Sequence, residues 1–273
     1  MPHRSLHYPE LCRLAHRLVS GRGQPVPLPE VAGSMGLTAP GAAELVPKLL
    51  DGRFRVSRGK VRLWSWERPF PFSGERVAVL DLELTGGNVQ TEEIIEVGAV
   101  RLDDSGLAEF SALADPGKPI PPFITGLTGI SDRMVRGAPP LAETLRELHA
   151  FLAGCTVVVQ DAAQDLAFLK LHFARLGLEL DFPLVDTLNL SRRALPGKRR
   201  RGLDALSRLY EVSVPRRHRA LDDARATLAI TRELYFTLSA GRRLPLSELH
   251  EESRPAPVAS PRPTNPSPLP RRP

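Results

Sequence analysis

The sequence predicts an α/β protein: a mixed five-stranded sheet with helices on its faces, preceded by a small α+β unit. Three observations carry that reading. Val77-Ala-Val-Leu-Asp81-Leu-Glu83-Leu opens as a Val- and Leu-rich run between Ser73-Gly74 and Gly86-Gly87, the pattern of a strand buried on both faces. Two further strand patterns follow across tight turns, giving an antiparallel meander, and beyond them strand and helix alternate, which argues for parallel pairing. The first 71 residues differ, with short helical patterns ending in a hairpin.

Within that first unit (residues 1–71), Tyr8 to Ser20 sets Leu11, Leu14, Ala15, Leu18 and Val19 at helical spacing, and Gly21-Arg-Gly23 stops the helix. Pro29 to Met35 and Pro40 to Leu50 are short helical candidates. Arg53 to Val56, a Ser57-Arg-Gly59 turn and Val61 to Trp66 read as a hairpin. The larger unit spans residues 76–240. After its first strand, Ile94 to Leu102 and Ala108 to Ala114 complete the meander, and Phe123 to Ser131 belongs to an irregular connection. Pro139 to Leu152 aligns Leu141, Leu145, Leu148 and Leu152 on one helix face. Thr156 to Val159 is a fourth strand, Asp165 to Leu176 a helix, and Phe182 to Asp186 a fifth strand. Helices over Gly202 to Tyr210 and Ala220 to Leu238 close the unit. Residues 241–273 read as a Pro/Arg-rich disordered tail, since from Arg254 on there is too little apolar surface to offset the cost of ordering.

With 273 residues, 42% hydrophobic and 25% charged, the chain suits one substantial globular domain plus a small one. Two cysteines, Cys12 and Cys155, make no disulfide framework and fit a reducing compartment. The N-terminus carries no apolar signal core, and no run approaches the roughly 20 apolar residues of a membrane span. A cytoplasmic protein without membrane contact is expected. The net charge of +6 suits a polyanionic partner.

Asp81 and Glu83 share one face of the first strand, roughly 7 Å apart along it. Two carboxylates side by side at the end of a core strand repel each other and lose hydration, so they need protonation or a shared cation. Three other stations stand out: Asp165 where the fourth strand gives way to a helix, and His218 and Asp223 around the first turn of the last helix. Each has an ordinary explanation on its own. Asp165 suits a helix N-cap, and Asp223 complements a helix dipole.

Together their spacing is specific. Asp81-Leu-Glu83-Leu-Thr85-Gly86, Ile94-Ile-Glu-Val-Gly98-Ala99-Val100, Ile124-Thr-Gly126-Leu127-Thr, Asp165-Leu-Ala-Phe168-Leu169, Val185-Asp186-Thr187 and His218-Arg-Ala220-Leu221-Asp-Asp223-Ala224 occur in this order between Arg76 and Leu238. The sequence resembles the DEDDh group of 3′-to-5′ exonucleases, the DnaQ-like family that includes the proofreading epsilon subunit of bacterial DNA polymerase III, ribonuclease T and oligoribonuclease. In the same way, the first unit resembles a winged-helix module, which can place a helix in the major groove and a wing on the backbone. A small packing or protein-docking domain fits that pattern equally.

The resemblance implies a ribonuclease-H-like fold and hydrolysis of phosphodiesters at single-stranded 3′ ends with two Mg²⁺ or Mn²⁺ ions. By the family pattern Asp81, Glu83, Asp165 and Asp223 hold the metals and His218 takes the proton of the attacking water. Leu84, Thr85, Gly86 and Leu127 meet the terminal nucleotide, with Gln160 beside it. The implied partners are single-stranded DNA ends, or RNA, together with a DNA polymerase or another replication or repair protein. One departure stands out. Where relatives read His-Asn-x-x-Phe-Asp, this chain reads Gln160-Asp161-Ala-Ala-Gln164-Asp165, which adds a negative charge beside the metals. That change favours an alternative, a non-catalytic nucleic-acid-binding or polymerase-docking protein that kept the fold. A further basic run, Lys198-Arg-Arg-Arg201, can hold a phosphate backbone or simply be a solvated loop.

Overall fold

The computed structural model describes residues 8–71 and 74–251. The N-terminal unit comprises α1 (Tyr8–Arg22), β1 (Val26–Pro27), α2 (Leu28–Ser34), α3 (Val46–Leu49), β2 (Phe54–Ser57) and β3 (Lys60–Leu63). Its strands make a small antiparallel sheet in the order β1-β3-β2. Cys12, Ala15, Val19, Val31, Met35, Val46, Val61 and Leu63 are buried between sheet and helices. The helix expected over Pro40 to Leu50 is divided into a 3₁₀ turn at Ala42–Glu44 and the short α3. Pro47 lies at the break and has no N–H with which to continue a helix. The hairpin's second strand likewise stops at Leu63, and Trp64–Trp66 forms a 3₁₀ turn. Much of the hairpin's basic character is spent internally. Arg55 and Arg62 both pair with Glu67 at 2.7 and 2.9 Å, and Arg55 and Arg68 lie over the Trp64 ring.

The larger unit continues with β4 (Val77–Leu84), β5 (Ile94–Asp103), β6 (Gly106–Leu113), α4 (Pro122–Thr128), α5 (Asp132–Val135), α6 (Leu141–Leu152), β7 (Thr156–Val159), α7 (Ala163–Arg175), β8 (Leu184–Asp186), α8 (Thr187–Ala194), α9 (Leu203–Tyr210), α10 (Ala220–Ser239) and α11 (Leu246–Glu251). Five strands form one mixed sheet in the order β6-β5-β4-β7-β8. The first three are an antiparallel meander, while β4, β7 and β8 run parallel, as the alternation of strand and helix predicts. The central strand is buried on both faces, with period 2. Val77 and Val79 face a core completed by α8, α9, α10 and α11. Ala78, Leu80, Leu82 and Leu84 face a second core completed by α6 and α7.

The N-terminal unit is packed onto α10. Arg53, only 5% exposed, bonds Asp51 at 2.8 Å and Glu233 at 2.9 Å. A Cβ on Gly52 would lie 2.0 Å from the Thr237 carbonyl oxygen, so this close approach of backbones admits glycine alone.

One boundary needs correction. Ordered structure does not stop at residue 240, because Leu246 and Leu249 of α11 are fully buried in the core beside α8 and α10. Their three-residue spacing gives one turn of helix an apolar face. The expected disorder beyond Arg254 falls outside the described residues.

Candidate active site

The two faces of β4 decide where the acids go. Asp81 and Glu83 continue the odd-numbered face of Val77 and Val79, the face that α10 covers. The last parallel pair is Leu80 with Val159, so both carboxylates lie beyond the end of β7, where the chain leaves the sheet. The crevice past the carboxyl ends of parallel strands is where open α/β sheets bind ligands.

Two residues of β5 bring α10 to that crevice. Gly98 is the ladder partner of Asp81, and a Cβ there would lie 2.2 Å from both Ala220 C and Leu221 N. The helix N-terminus therefore rests directly on the strand. Glu96, 2% exposed, accepts a hydrogen bond from the Ala220 N–H at 2.9 Å and is bonded by the Arg219 guanidinium at 2.7 Å. A carboxylate here satisfies an orphan N–H and favours the helix dipole. Sequence reading missed Glu96 because its role is long-range, 124 residues from the N–H that it caps.

With α10 so held, Asp223 turns into the crevice and Asp222 turns away, where Arg216 and Arg225 bond it at 2.8 and 2.9 Å. His218 adopts a left-handed backbone (φ 58°), and its N–H donates to Asp223 Oδ2 at 3.1 Å. Glu83, His218 and Asp223 each bring a ligand atom to within 4.8 Å of one another. Asp81 and Asp165 stand alongside this trio rather than within it. Asp165 is the third residue of α7, whose N-cap is Ala162, so it is not the cap that its position suggests.

The electrostatics are unbalanced. Burial, then the charges of Asp165, Glu83 and Asp223, pushes the Asp81 carboxyl well above its ordinary range. Glu83 is pushed up to about 8 by burial, with Asp223, Glu96 and Asp165 adding to it. Burial likewise raises Asp165, helped by the charge of Asp161, and raises Asp223 against the pull of Arg217. Arg217, bonded to both Asp223 and Asp204, supplies some counter-charge. Asp223 Oδ1 is buried and has no hydrogen-bond partner among the described residues. Crowded, partly desolvated carboxylate oxygens with an orphaned lone pair suit hard divalent cations.

A groove of about 530 Å³ runs from the acids along the loop after β4 and under α4. Leu84, Thr85, Gly86 and Leu127 line it, as do Glu83 and Asp165. Thr85 is 2% exposed, with its hydroxyl bonded to the Glu92 carboxylate and to the Glu93 N–H, so it shapes the loop from within. Gln160 does not line this groove. Its amide is engaged by the Arg201 carbonyl and the Thr187 hydroxyl, and Gln164 lines the groove instead. Phe123 was missed: it is 76% exposed on α4, next to the 41% exposed Leu127. An apolar pair left in water at the mouth of an acid-lined groove is the available signal, and it needs the fold to be seen.

The family model described as Exonuclease matches residues 78–231, more than half of the chain. The chain belongs to this exonuclease family, and its fold is ribonuclease-H-like. It is similar to the PolC-type DNA polymerase III of Caldanaerobacter subterraneus subsp. tengcongensis, 38% identical over 153 residues, and to that of Halalkalibacterium halodurans, 34% identical over 163 residues. These alignments take in 56% and 59% of this chain but 11% of each polymerase. Among solved structures, exonuclease I superposes with a TM-score of 0.55 at 16% identity, over 61% of this chain and 42% of that one. Exonuclease X in complex with 5′-overhanging duplex DNA superposes with a TM-score of 0.52 at 22% identity, over 65% and 99%. Both likenesses are of fold. No helix among the described residues is long and apolar enough to cross a membrane.

Proposed function

We propose that this exonuclease removes nucleotides from the 3′ end of single-stranded DNA by divalent-metal-dependent hydrolysis. One observation carries the reading: Asp81, Glu83, Asp165 and Asp223 crowd one crevice beside His218, with raised proton affinities and little counter-charge. Mg²⁺ or Mn²⁺ ions held by the four acids would neutralise the scissile phosphate and the leaving 3′ oxygen and acidify the attacking water. His218, at the edge of the cluster, receives the proton of that water on a ring nitrogen. The water oxygen bonds to phosphorus, the P–O3′ bond breaks, and a nucleoside 5′-monophosphate leaves. Phe123 and Leu127 offer apolar faces against the terminal base, which makes the groove tolerant of sequence. Glu96 and Gly98 are positioning residues that hold the start of α10. The PolC-type relatives motivate a role beside a DNA polymerase, with this chain as the trimming module.

The test is digestion of 5′-labelled single-stranded DNA and matched RNA with Mg²⁺ or Mn²⁺, comparing the parent with Asp81→Ala. A ladder of shortened DNA that disappears in the variant is expected. Faster RNA trimming would reassign the substrate. Equal retention of intact strands by both proteins would favour the non-catalytic binder that Asp161 suggests.

A further inference from the structure

A second cleft, of about 760 Å³, opens between α1 of the N-terminal unit and the loop and helix of residues 196–209. Its walls carry five cations, Arg13, Lys198, Arg199, Arg200 and Arg208, and one acid, Glu10. Arg199, Arg200 and Arg208 are exposed; among the described residues Arg199 and Arg200 have no acidic partner, whereas Arg208 acts on Asp204 and Arg13 pairs with Glu211 at 3.5 Å. Burial, with Arg201 and Arg208 adding to it against the pull of Glu10, lowers the proton affinity of Lys198. The charge of Arg199 and Arg200 in particular is answered by no acid of the fold among the described residues. By contrast Arg201, the last residue of the same run, is turned inward, and its guanidinium donates to the Ser191 and Leu195 carbonyls.

The cleft adjoins the acid crevice through two connections. Gln160, the residue after β7, donates to the Arg201 carbonyl at 3.2 Å, linking the segment next to Arg200 to the end of the sheet strand. Asp204, in the first turn of α9, accepts from Arg217, which also bonds Asp223. Arg208 lies four residues further along α9, about 6 Å of helical rise. The cations are thus carried on three segments that lead away from the catalytic end.

We propose that this cleft is a second nucleic-acid site, which holds the phosphate backbone of the strand whose 3′ end occupies the acid crevice. The inference rests on the exonuclease reading and adds to it a role for the N-terminal unit, whose α1 forms one wall. A long strand then engages both sites, whereas a trinucleotide engages only the catalytic end. Each neutralised phosphate of a single strand contributes about 0.7 to the slope of log affinity against log salt.

The experiment compares the full-length parent with the triple variant Arg199→Glu, Arg200→Glu, Arg208→Glu, and with the milder pair Arg199→Ala, Arg200→Ala. Binding of a 20-nucleotide strand with a hydrolysis-resistant phosphorothioate 3′ end is measured across a salt series with Mg²⁺ present. Trinucleotide cleavage is followed separately. The triple variant should bind the long strand about 100-fold more weakly at 0.1 M salt, with a slope shallower by about 2, and the pair should lose about tenfold. Both should cleave the trinucleotide within twofold of the parent. Unchanged long-strand affinity and slope would overturn the proposal. So would cleft-dependent binding of inorganic tripolyphosphate with unchanged strand affinity, which marks a small-anion site. A parent inert on the trinucleotide counts against the exonuclease reading alone, because strand binding is read independently.

Discussion

The two ends of α10 both hold buried charge, and they neutralise it in opposite ways. Toward its C-terminal end, Arg53 sits between Asp51 and Glu233, and its planar fork is matched by carboxylates on two sides. At its N-terminal end, Asp81, Glu83, Asp165 and Asp223 meet Arg217 as their nearby cation. The first arrangement fastens the N-terminal unit to the exonuclease fold. The second leaves negative charge for something outside the chain to complete. Neighbouring residues of the helix draw the same distinction, since Asp222 is bonded by two arginines while Asp223 keeps one oxygen unpartnered. Burial alone therefore does not set the acid crevice apart in this molecule; buried negative charge with so little counter-charge does.

The contrast is sharpest in Asp223→Asn. This change keeps the shape, removes one metal-binding oxygen and relieves repulsion, so cleavage should fall about 1000-fold while the metal-free protein melts no lower than the parent. A parallel loss of stability would put Asp223 in the structural class with Arg53. Gly98→Ala should lower cleavage by about 100-fold, because the added methyl must push the start of α10, and Asp223 with it, away from Asp81. Arg53→Ala should do the reverse. It should destabilise the fold by about 3–5 kcal/mol, by stranding two carboxylates, while the folded fraction cleaves within twofold of the parent; calorimetric melting beside a titration of active sites separates the two.

Much of this was legible from the chain itself, and the parts that were not share a cause. The meander, the parallel strands and the long helices follow from period 2 and period 3.6 patterns held within single segments. The acids and His218 were visible because their order and spacing are a family pattern. Glu96 and Phe123 were not, because a cap 124 residues distant and an apolar residue exposed at a groove mouth leave no local pattern. The internal partners of Gln160 were hidden for the same reason, since Thr187 and Arg201 come from other elements. The last buried helix, α11, was hidden beside a proline-rich stretch whose composition dominates the reading.

A smaller effect distinguishes the two ends through pH. At the acid crevice the folded-state pKa values lie above the unfolded ones, so their stabilising contribution is complete below about pH 4 and is lost as pH rises through about 8 for Glu83. Without metal, the thermal midpoint should fall by a few degrees between pH 5 and pH 8, and Asp223→Asn should flatten that fall. A midpoint that climbs across the same interval would contradict the assigned direction.

Calorimetric titration of the metal-free chain with Mn²⁺ at pH 7, repeated in buffers of different ionisation enthalpy, tests the central claim most directly. The account predicts saturable binding accompanied by proton release, as cations displace protons from the raised carboxyls, and loss of both in Asp81→Asn. Binding that is absent, or that is indifferent to Asp81→Asn, would mean that the crowded acids are not a metal site.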